Sequence, residues 1–330
     1  MASLLERLGV ERPIVQAGMG GGLAGHELAG AVSAAGGLGT IGILPAEALR
    51  HSIEAARERA DGKPVAVNLL LPFARRAHFE VASSADAVVT FWGRPKRRTA
   101  AVWVHQCGSV EEARAARAAG AYAVIAQGVE AGGHVRGTTP ALELLEQTRA
   151  ALGPDYPVLV AGGMADAADV RAALDAGAEA AVLGTRFLMT PESGALDAYK
   201  RRLVESRDTV LTELFGAGWP RAPHRVIRNE AAERWLARDP RGPAWVRALH
   251  AALSPALGRI PLEQQEKLRR VQRSGSPLLG PFAAVEGADN LLDAGPLYAG
   301  ETVARIDDLR PAAELVAELS GNAPTSEPTS

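Results

Sequence analysis

The sequence lacks the features that mark several classes of protein. Its 330 residues include one cysteine, Cys107, so an internal disulfide is excluded and a reducing compartment is expected. The formal net charge of −2 provides no concentrated basic field for a nucleic acid or a membrane surface. No apolar run approaches the roughly 20 residues that span a bilayer, and the N-terminal MASLLERLGVERP carries charges where a signal peptide is apolar. We therefore expect a soluble, cytoplasmic protein that acts on a small molecule.

Two catalytic signatures are missing as well. No group of carboxylates and histidines has the spacing of metal ligands, so no catalytic metal is predicted. The sequence has no G-x-S-x-G nucleophile elbow. Nothing near Cys107 would activate a thiol, which favours a packed structural cysteine over a nucleophile.

What the sequence does contain is an alternation of short apolar runs with alanine-rich amphipathic stretches. The runs are nearly continuous in Val, Ile, Leu and Ala, which is typical of parallel strands covered on both faces. Stretches such as SVEEARAARAAGA begin at a capping residue and end at glycine, as helices do. Eight such units predict a (β/α)8 TIM barrel, with an open doubly wound sheet as the alternative. The eight runs are PIVQAG, LGTIGIL, PVAVNLLL, DAVVTFWG, AVWVHQCG, AYAVIAQG, PVLVAGG and AAVLGT.

The pattern changes after the eighth run. Proline, tryptophan and charge increase between Glu192 and Leu291, and the apolar spacing becomes helical. We expect residues 192–291 to form a helical insertion that covers the barrel mouth, while residues 1–191 and 292–320 form the barrel. The tail, residues 321–330, has little apolar content and is predicted to be disordered. Alanine-rich barrel helices also permit a homodimer.

Glycines after the first run raise the question of a dinucleotide site. GGGLAG, Gly20 to Gly25, satisfies G-x-G-x-x-G, but a Rossmann fold also needs an acid near the end of the next strand. The first acid there, Glu47, falls inside the following helical pattern. We expect the glycines to let the backbone approach a flat ligand, with Met19 against that ligand or packed in the core.

Two later glycine turns follow the seventh and eighth runs, where barrels commonly bind phosphate. Gly162 and Gly163 offer backbone N–H groups, and Gly184 and Thr185 offer N–H groups and a hydroxyl. Ordinary tight turns are the alternative. Arg186 could add charge or pair with an acid elsewhere.

Polar residues stand at the ends of several runs, where barrel enzymes carry their chemistry. A carboxamide there can both donate to and accept from a heterocycle. His134, in AQGVEAGGHVRG, follows the sixth run, and its neighbours Gly132 and Gly133 would let a ligand pass close. With an ordinary pKa of about 6.5 it could act as acid or base. Its weaker rival is His105. The full set is Gln16, Asn68, His105, Gln106, Gln127 and His134.

Two charged features have more than one interpretation. Glu130 could brace its loop by accepting backbone N–H bonds, or it could face solvent. The run RPKRR, residues 94–98, could meet a nucleotide phosphate, although a solvated loop is the stronger expectation.

Five segments, taken in order, resemble the nitronate monooxygenase family and its relative, the FMN-dependent enoyl-ACP reductase. The resemblance implies a TIM barrel with FMN at its mouth, the phosphate at Gly163, Gly184 and Thr185, and His134 beside the flavin N5 as base or substrate orienter. Gln106 matches a position that often adds a polar contact. The other FMN contacts that the resemblance implies are Met19, Gly20, Asn68, Gln127 and Gly132. The five segments are PIVQAGMGGG, VNLLLP, QGVEAGGHVRG, VAGGMADAADVRAAL and AVLGTRFLMTPES.

The chain departs from the family pattern in two places. Gly18-Met19-Gly20 stands where members often have Pro-Met-Ala, and the insertion containing WPRAPHRVIRNEAAERW is distinctive, so substrate contacts are expected there. The resemblance implies oxidative denitrification of alkyl nitronates with dioxygen. The alternatives are NAD(P)H-dependent reduction of a quinone or enoyl thioester, and a flavin-free barrel acting on a phosphorylated metabolite.

Overall fold

The computed structural model describes residues 3–321, apart from the side chains of residues 263, 265 and 266. The predicted tail therefore lies outside the described residues from position 322 onward. The strands are β1 (Ile14–Gln16), β2 (Gly39–Ile41), β3 (Val65–Leu70), β4 (Ala87–Phe91), β5 (Val102–Cys107), β6 (Ala123–Gln127), β7 (Gly133–His134), β8 (Val158–Ala161), β9 (Ala181–Leu183), β10 (Val210–Thr212), β11 (His224–Ile227) and β12 (Leu297–Tyr298).

Eight of these strands form a parallel barrel in the order β1-β9-β8-β6-β5-β4-β3-β2. Leu38, just before β2, closes the circle, because its N–H donates to Ile14 O at 2.9 Å and its carbonyl accepts from Gln16 N at 3.0 Å. The predicted (β/α)8 barrel is confirmed, and the open doubly wound sheet is excluded. Each of the eight predicted apolar runs contains one barrel strand.

Alternation along the strands separates an inner from an outer core. Side chains such as Val89, Val104 and Ile125 share one buried cluster inside the barrel. Their strand neighbours Trp103 and Val124 belong to a different cluster that includes the surrounding helices. Both sets are apolar because successive strand residues point to opposite faces and both faces are covered.

Helices surround the barrel and close the end opposite its mouth. Helix α1 packs there, where the N–H of Leu5 donates to Glu179 Oε1 at 2.9 Å, just before β9 begins. No helix of residues 3–321 is long and apolar enough to cross a membrane. The helices are α1 (Leu4–Leu8), α2 (His26–Ala34), α3 (Ala46–Arg59), α4 (Arg76–Ala82), α5 (Val110–Ala118), α6 (Ala141–Leu152), α7 (Ala167–Asp175), α8 (Thr185–Leu188), α9 (Asp197–Glu205), α10 (Glu230–Leu236), α11 (Ala244–Leu257), α12 (Leu262–Val271), α13 (Leu291–Ala294) and α14 (Ala312–Leu319), with a 3₁₀ helix at Glu301–Arg305.

Residues 192–291 contain strands as well as the predicted helices. Helices α9 to α12 lie in this segment, but so do β10 and β11, which form an antiparallel sheet with β12. Strand β11 also pairs with β7, placing His224 opposite His134. Strands of two to four residues are too short to show a periodic pattern, which is why the sequence did not indicate them. This small sheet ties the insertion to the loop that follows β6.

Candidate active site

A cavity of about 490 Å³ opens at the carboxyl ends of the barrel strands. All twelve residues predicted to bind FMN or to act in catalysis line it, although they come from six separate loops and strand ends. Further lining comes from the insertion, including Trp219 and Phe282. The predicted set is Met19, Gly20, Asn68, Gln106, Gln127, Gly132, Gly133, His134, Gly162, Gly163, Gly184 and Thr185.

The amide of Asn68 is held at one end and unpaired at the other. Its Nδ2 donates to Gly18 O at 3.0 Å, while its buried Oδ1 has no hydrogen-bond partner among the described residues. A buried acceptor without a donor costs about 1–3 kcal/mol, so the site fits a ligand that donates there. Gln16, by contrast, is fully engaged with Thr40 and Ala17 and is a structural residue.

The two glutamines differ in how much of their amide remains available. Gln127 donates from Nε2 to His134 O at 2.9 Å and accepts the N–H of Arg136 at 3.1 Å, so it fixes the loop that carries the histidine. The side-chain amide of Gln106 makes no hydrogen bond to another described residue, and Gln106 lines the cavity. Met19 lines the cavity and also packs against two core clusters, while its carbonyl accepts from Ala24 N at 3.1 Å.

The glycine turns after β8 and β9 leave backbone donors free. Gly162 and Gly163 have φ of +105° and +75°, a conformation that side chains rarely adopt. Within residues 3–321 the N–H groups of Gly162, Gly163 and Gly184 have no backbone or side-chain acceptor. Thr185 Oγ1 accepts from Gly300 N at 2.8 Å and keeps its own hydrogen for donation. These groups form the donor set that an anion such as a phosphate needs.

Two neighbouring charged residues do not add to this donor set. The carboxylate of Glu130 accepts the N–H of Ala141 at 3.0 and 3.2 Å, and so braces its loop. Arg186 is buried and forms an ion pair with Asp308 at 2.6 Å. This is the pairing with an acid that was the alternative to a phosphate contact. No positive side chain of residues 184–186 therefore faces the glycine turns.

His134 sits against aromatic rings rather than in a solvated loop. Its ring stacks on Trp219, with centroids 3.8 Å apart and planes 23° apart, and it also contacts Trp92, His224 and Tyr298. Burial, and secondarily His224, lowers the pKa of His134 well below its ordinary value. The expectation of an ordinary pKa was wrong, because the sequence gives no sign of this covering. The imidazole is neutral at pH 7, and its Nε2 is buried without a partner in the described chain.

The aromatic residues around His134 were not predicted individually. Trp219 lies in the insertion segment that had been expected to supply substrate contacts, and its ring meets those of Phe73 and Trp92, each at 5.1 Å. Trp92 follows β4 with φ of +64°, a strained conformation for a bulky side chain. The guanidinium of Arg136 lies 5.0 Å from its ring centroid. Nothing in the local sequence of Trp92 signals this role.

The remaining candidates lie away from the cavity. His105 points out of the barrel, where its Nδ1 is 2.7 Å from Thr90 Oγ1, and burial lowers its pKa to about 4. Cys107 is buried, and burial raises the pKa of its thiol. In the RPKRR loop, Arg97 bonds to Thr99 O and Arg98 lies over the Phe79 ring. These contacts support structural roles for His105 and Cys107.

The fold and the site together define a TIM-barrel enzyme with a ligand cavity at the carboxyl ends of its strands. Comparison with known proteins makes this more specific. The sequence model of the nitronate monooxygenase family matches residues 2–95 and 94–322. The chain therefore belongs to the nitronate monooxygenase family, which consists of flavin-dependent oxidoreductases.

Individual relatives carry different activities in their names. A (3aS,4S,5R,7aS)-5-hydroxy-7a-methyl-1-oxo-octahydro-1H-indene-4-carboxyl-CoA dehydrogenase of Mycobacterium tuberculosis is 31% identical, covering 96% of this chain and 94% of its own. A nitronate monooxygenase of Pseudomonas aeruginosa is 33% identical over 68% of this chain and 80% of its own. The structure of FabK from Thermotoga maritima superposes with a TM-score of 0.76 at 29% identity, covering 97% and 94% of the two chains.

Proposed function

We propose that this chain is an FMN-dependent oxidoreductase that converts alkyl nitronates and dioxygen into carbonyl compounds and nitrite. The observation that carries the proposal is the stacked pair of His134 and Trp219. Both rings line the cavity, and their Nε2 and Nε1 atoms are buried without a partner among the described residues. A nitronate carries its negative charge on two oxygen atoms, so two N–H donors on stacked rings match it.

The residues present fit FMN. The unpaired Asn68 Oδ1 requires a donor, which the flavin ring offers, and the free N–H groups of Gly162, Gly163 and Gly184 suit a phosphate. Gln106 would add a polar contact to the ring. The cavity volume of about 490 Å³ lies in the usual range for cofactor and ligand sites. When bound, FMN supplies the transfer of electrons from the nitronate to dioxygen.

The neutral imidazole favours an anionic substrate over a neutral nitroalkane. A histidine with a depressed pKa is a weak base, so it is poorly suited to removing a carbon-bound proton. In the tautomer with its proton on Nε2, His134 would instead hold a nitro oxygen, and Trp219 Nε1 the other. The net reaction consumes two nitronate anions and one dioxygen and yields two carbonyl compounds and two nitrite ions, with no further reductant.

The test begins with the visible spectrum of the purified protein, which should show flavin absorbance. Ethylnitronate should then release nitrite in air without NADH, and it should reduce the flavin anaerobically. His134→Leu and Trp219→Phe each remove one donor to a charged group, so each should lower kcat/KM roughly 10- to 150-fold. Trp245→Phe, at a side chain that is 57% exposed, serves as the control. Absence of anaerobic flavin reduction by ethylnitronate would exclude this function.

A second function has support from two relatives. The Mycobacterium tuberculosis dehydrogenase acts on a CoA ester by name, and FabK shares the fold over nearly the whole chain. NAD(P)H-dependent reduction of an enoyl thioester or a quinone by this chain would appear as rapid bleaching of the flavin by NADH. A colourless protein would favour the flavin-free alternative. Location in the cytoplasm and a homodimer remain predictions; light scattering tests the latter.

A further inference from the structure

A second cavity of about 200 Å³ lies beside the main one and has no part in the proposed reaction. Its walls come from residues 217–218, from α11 and α12, and from the segment 276–282. Phe73, Pro281 and Phe282 belong to the linings of both cavities. These three residues therefore form the boundary between the two spaces.

The second cavity offers mainly apolar contacts, and its two polar side chains are already engaged in hydrogen bonds. Gln272 is engaged at both ends, since its Nε2 donates to Ala294 O and its Oε1 accepts from Gly280 N, each at 2.7 Å. Ser276 Oγ accepts from Leu278 N at 3.1 Å. In the part of the chain that the structure describes, no charged side chain lines the cavity. An occupant would gain stability by burying hydrocarbon there.

The boundary lies close to the rings that would hold the reacting group. Phe73 meets Trp219 edge to face at 5.1 Å, and both Phe73 and Phe282 are half-buried. Ala217, two residues before Trp219, donates its N–H to Leu279 O at 3.0 Å, so one loop carries the tryptophan and walls the second cavity. An alkyl chain attached to a group bound at Trp219 would pass Phe73 and Phe282 to enter the second cavity.

We infer that the second cavity binds the apolar tail of the substrate, an alkyl chain on the carbon that bears the reacting group. This inference rests on the proposed function. An apolar cavity of about 150 Å³ holds benzene, so this one has room for about six to eight carbon atoms. Val271 and Leu278 line it and are 67% and 43% exposed, so a longer chain would leave to solvent between them.

The first test is a chain-length series of nitronates, from ethylnitronate to decylnitronate, on the flavin-loaded protein. Each buried methylene should raise kcat/KM about fourfold until the cavity is full, after which kcat/KM should level off. A flat series with ethylnitronate still turned over would overturn the subsite and leave the proposed function intact. No turnover of any nitronate would count against the proposed function itself.

A variant that fills the cavity sharpens the test. Leu268, on α12, lines the second cavity but not the first, so Leu268→Trp should abolish the chain-length dependence and leave ethylnitronate turnover within about twofold. Leu142→Trp makes the same change at a leucine of α6 that is 46% exposed and lines neither cavity. It should keep the full dependence. A rising series in Leu268→Trp would refute the assignment.

Binding can be measured without turnover. Alkyl carboxylates share the planar, two-oxygen anionic head of a nitronate, so calorimetry with butanoate and octanoate isolates the effect of the tail. Octanoate should bind on the order of 100-fold more tightly to the natural protein and to Leu142→Trp, but not to Leu268→Trp. Equal affinities in the natural protein would overturn the inference. Because no nitronate chemistry is involved, this result stands whether or not nitronates are substrates.

Discussion

Gly18 and Gly20 flank Met19 in one loop, and the structure predicts opposite outcomes when each is changed to alanine. A Cβ at Gly18 would overlap the Cβ of Asn68, and it would lie 3.1 Å from Asn68 Cγ and 3.0 Å from Thr40 Cγ2. A Cβ at Gly20 would have Ile43 Cγ2 at 3.4 Å as its nearest neighbour, an ordinary contact. Neither glycine has a positive φ, so contact alone distinguishes the two positions.

The loss of stability and of FMN affinity in Gly18→Ala depends on how far the side chain of Asn68 must move. Overpacking between strands costs about 1–3 kcal/mol, so Gly18→Ala should lower the melting temperature by several degrees. The same shift would displace Asn68, whose Nδ2 bonds to Gly18 O at 3.0 Å, and should weaken FMN binding about tenfold or more. Gly20→Ala should change the melting temperature by no more than about a degree.

The assays are thermal melting of the holoprotein and titration of the apoprotein with FMN, followed by flavin fluorescence. Gly20→Ala provides the matched control, because it makes the same substitution two residues away. The reasoning fails if the two variants lose stability equally, or if Gly18→Ala behaves like the natural protein. In either case the contact with Asn68 would not constrain the loop.

Three further predictions concern charge and burial. Arg186 pairs with Asp308 rather than with the glycine turns, so Arg186→Gln should cost roughly 1–3 kcal/mol of stability and change the FMN dissociation constant by no more than about twofold. A large loss of FMN affinity would show instead that Arg186 contacts the phosphate. Trp219→Ala should raise the His134 pKa toward about 6.5, measured by NMR titration, whereas Trp245→Ala should not. Burial lowers the pKa of His105 to about 4, so the unfolded chain binds more protons, and the free energy of unfolding should fall as the pH drops from about 6.5 toward 4. His105→Gln should reduce this slope in denaturant titrations, and an unchanged slope would contradict it.

The barrel was predictable because its strands are buried on both faces and read as continuous apolar runs. The positions of Asn68, Gln106 and Gln127 followed from the same fact, since the carboxyl ends of parallel barrel strands meet at one mouth. What the sequence could not give was the state of each amide. Gln127 uses both ends to fix the His134 loop, whereas the side-chain amide of Gln106 bonds to no described residue, and this depends on the path of a loop nine residues further on.

The state of His134 was beyond sequence reasoning for a similar reason. Its pKa is set by burial beneath Trp219, which lies 85 residues away in the chain and reaches it through the pairing of β7 with β11. Strands this short have no detectable period, and aromatic residues in a mixed segment have no obvious target. Trp92 is similar, because its strained φ is visible only in the structure.

Under the proposed function, substrate choice would depend on residues 192–291 more than on the barrel. The residues that fit FMN come from strand ends and adjoining glycine turns, and the family resemblance already covered them. Trp219 and the walls of the second cavity come mainly from residues 217–219, α11, α12 and residues 276–282 instead. Relatives of this chain are named for a CoA ester and for a nitronate. Under the proposed function, a difference in the segment that corresponds to residues 192–291 would be enough to separate two such substrates, because position and polarity around a cofactor select the substrate.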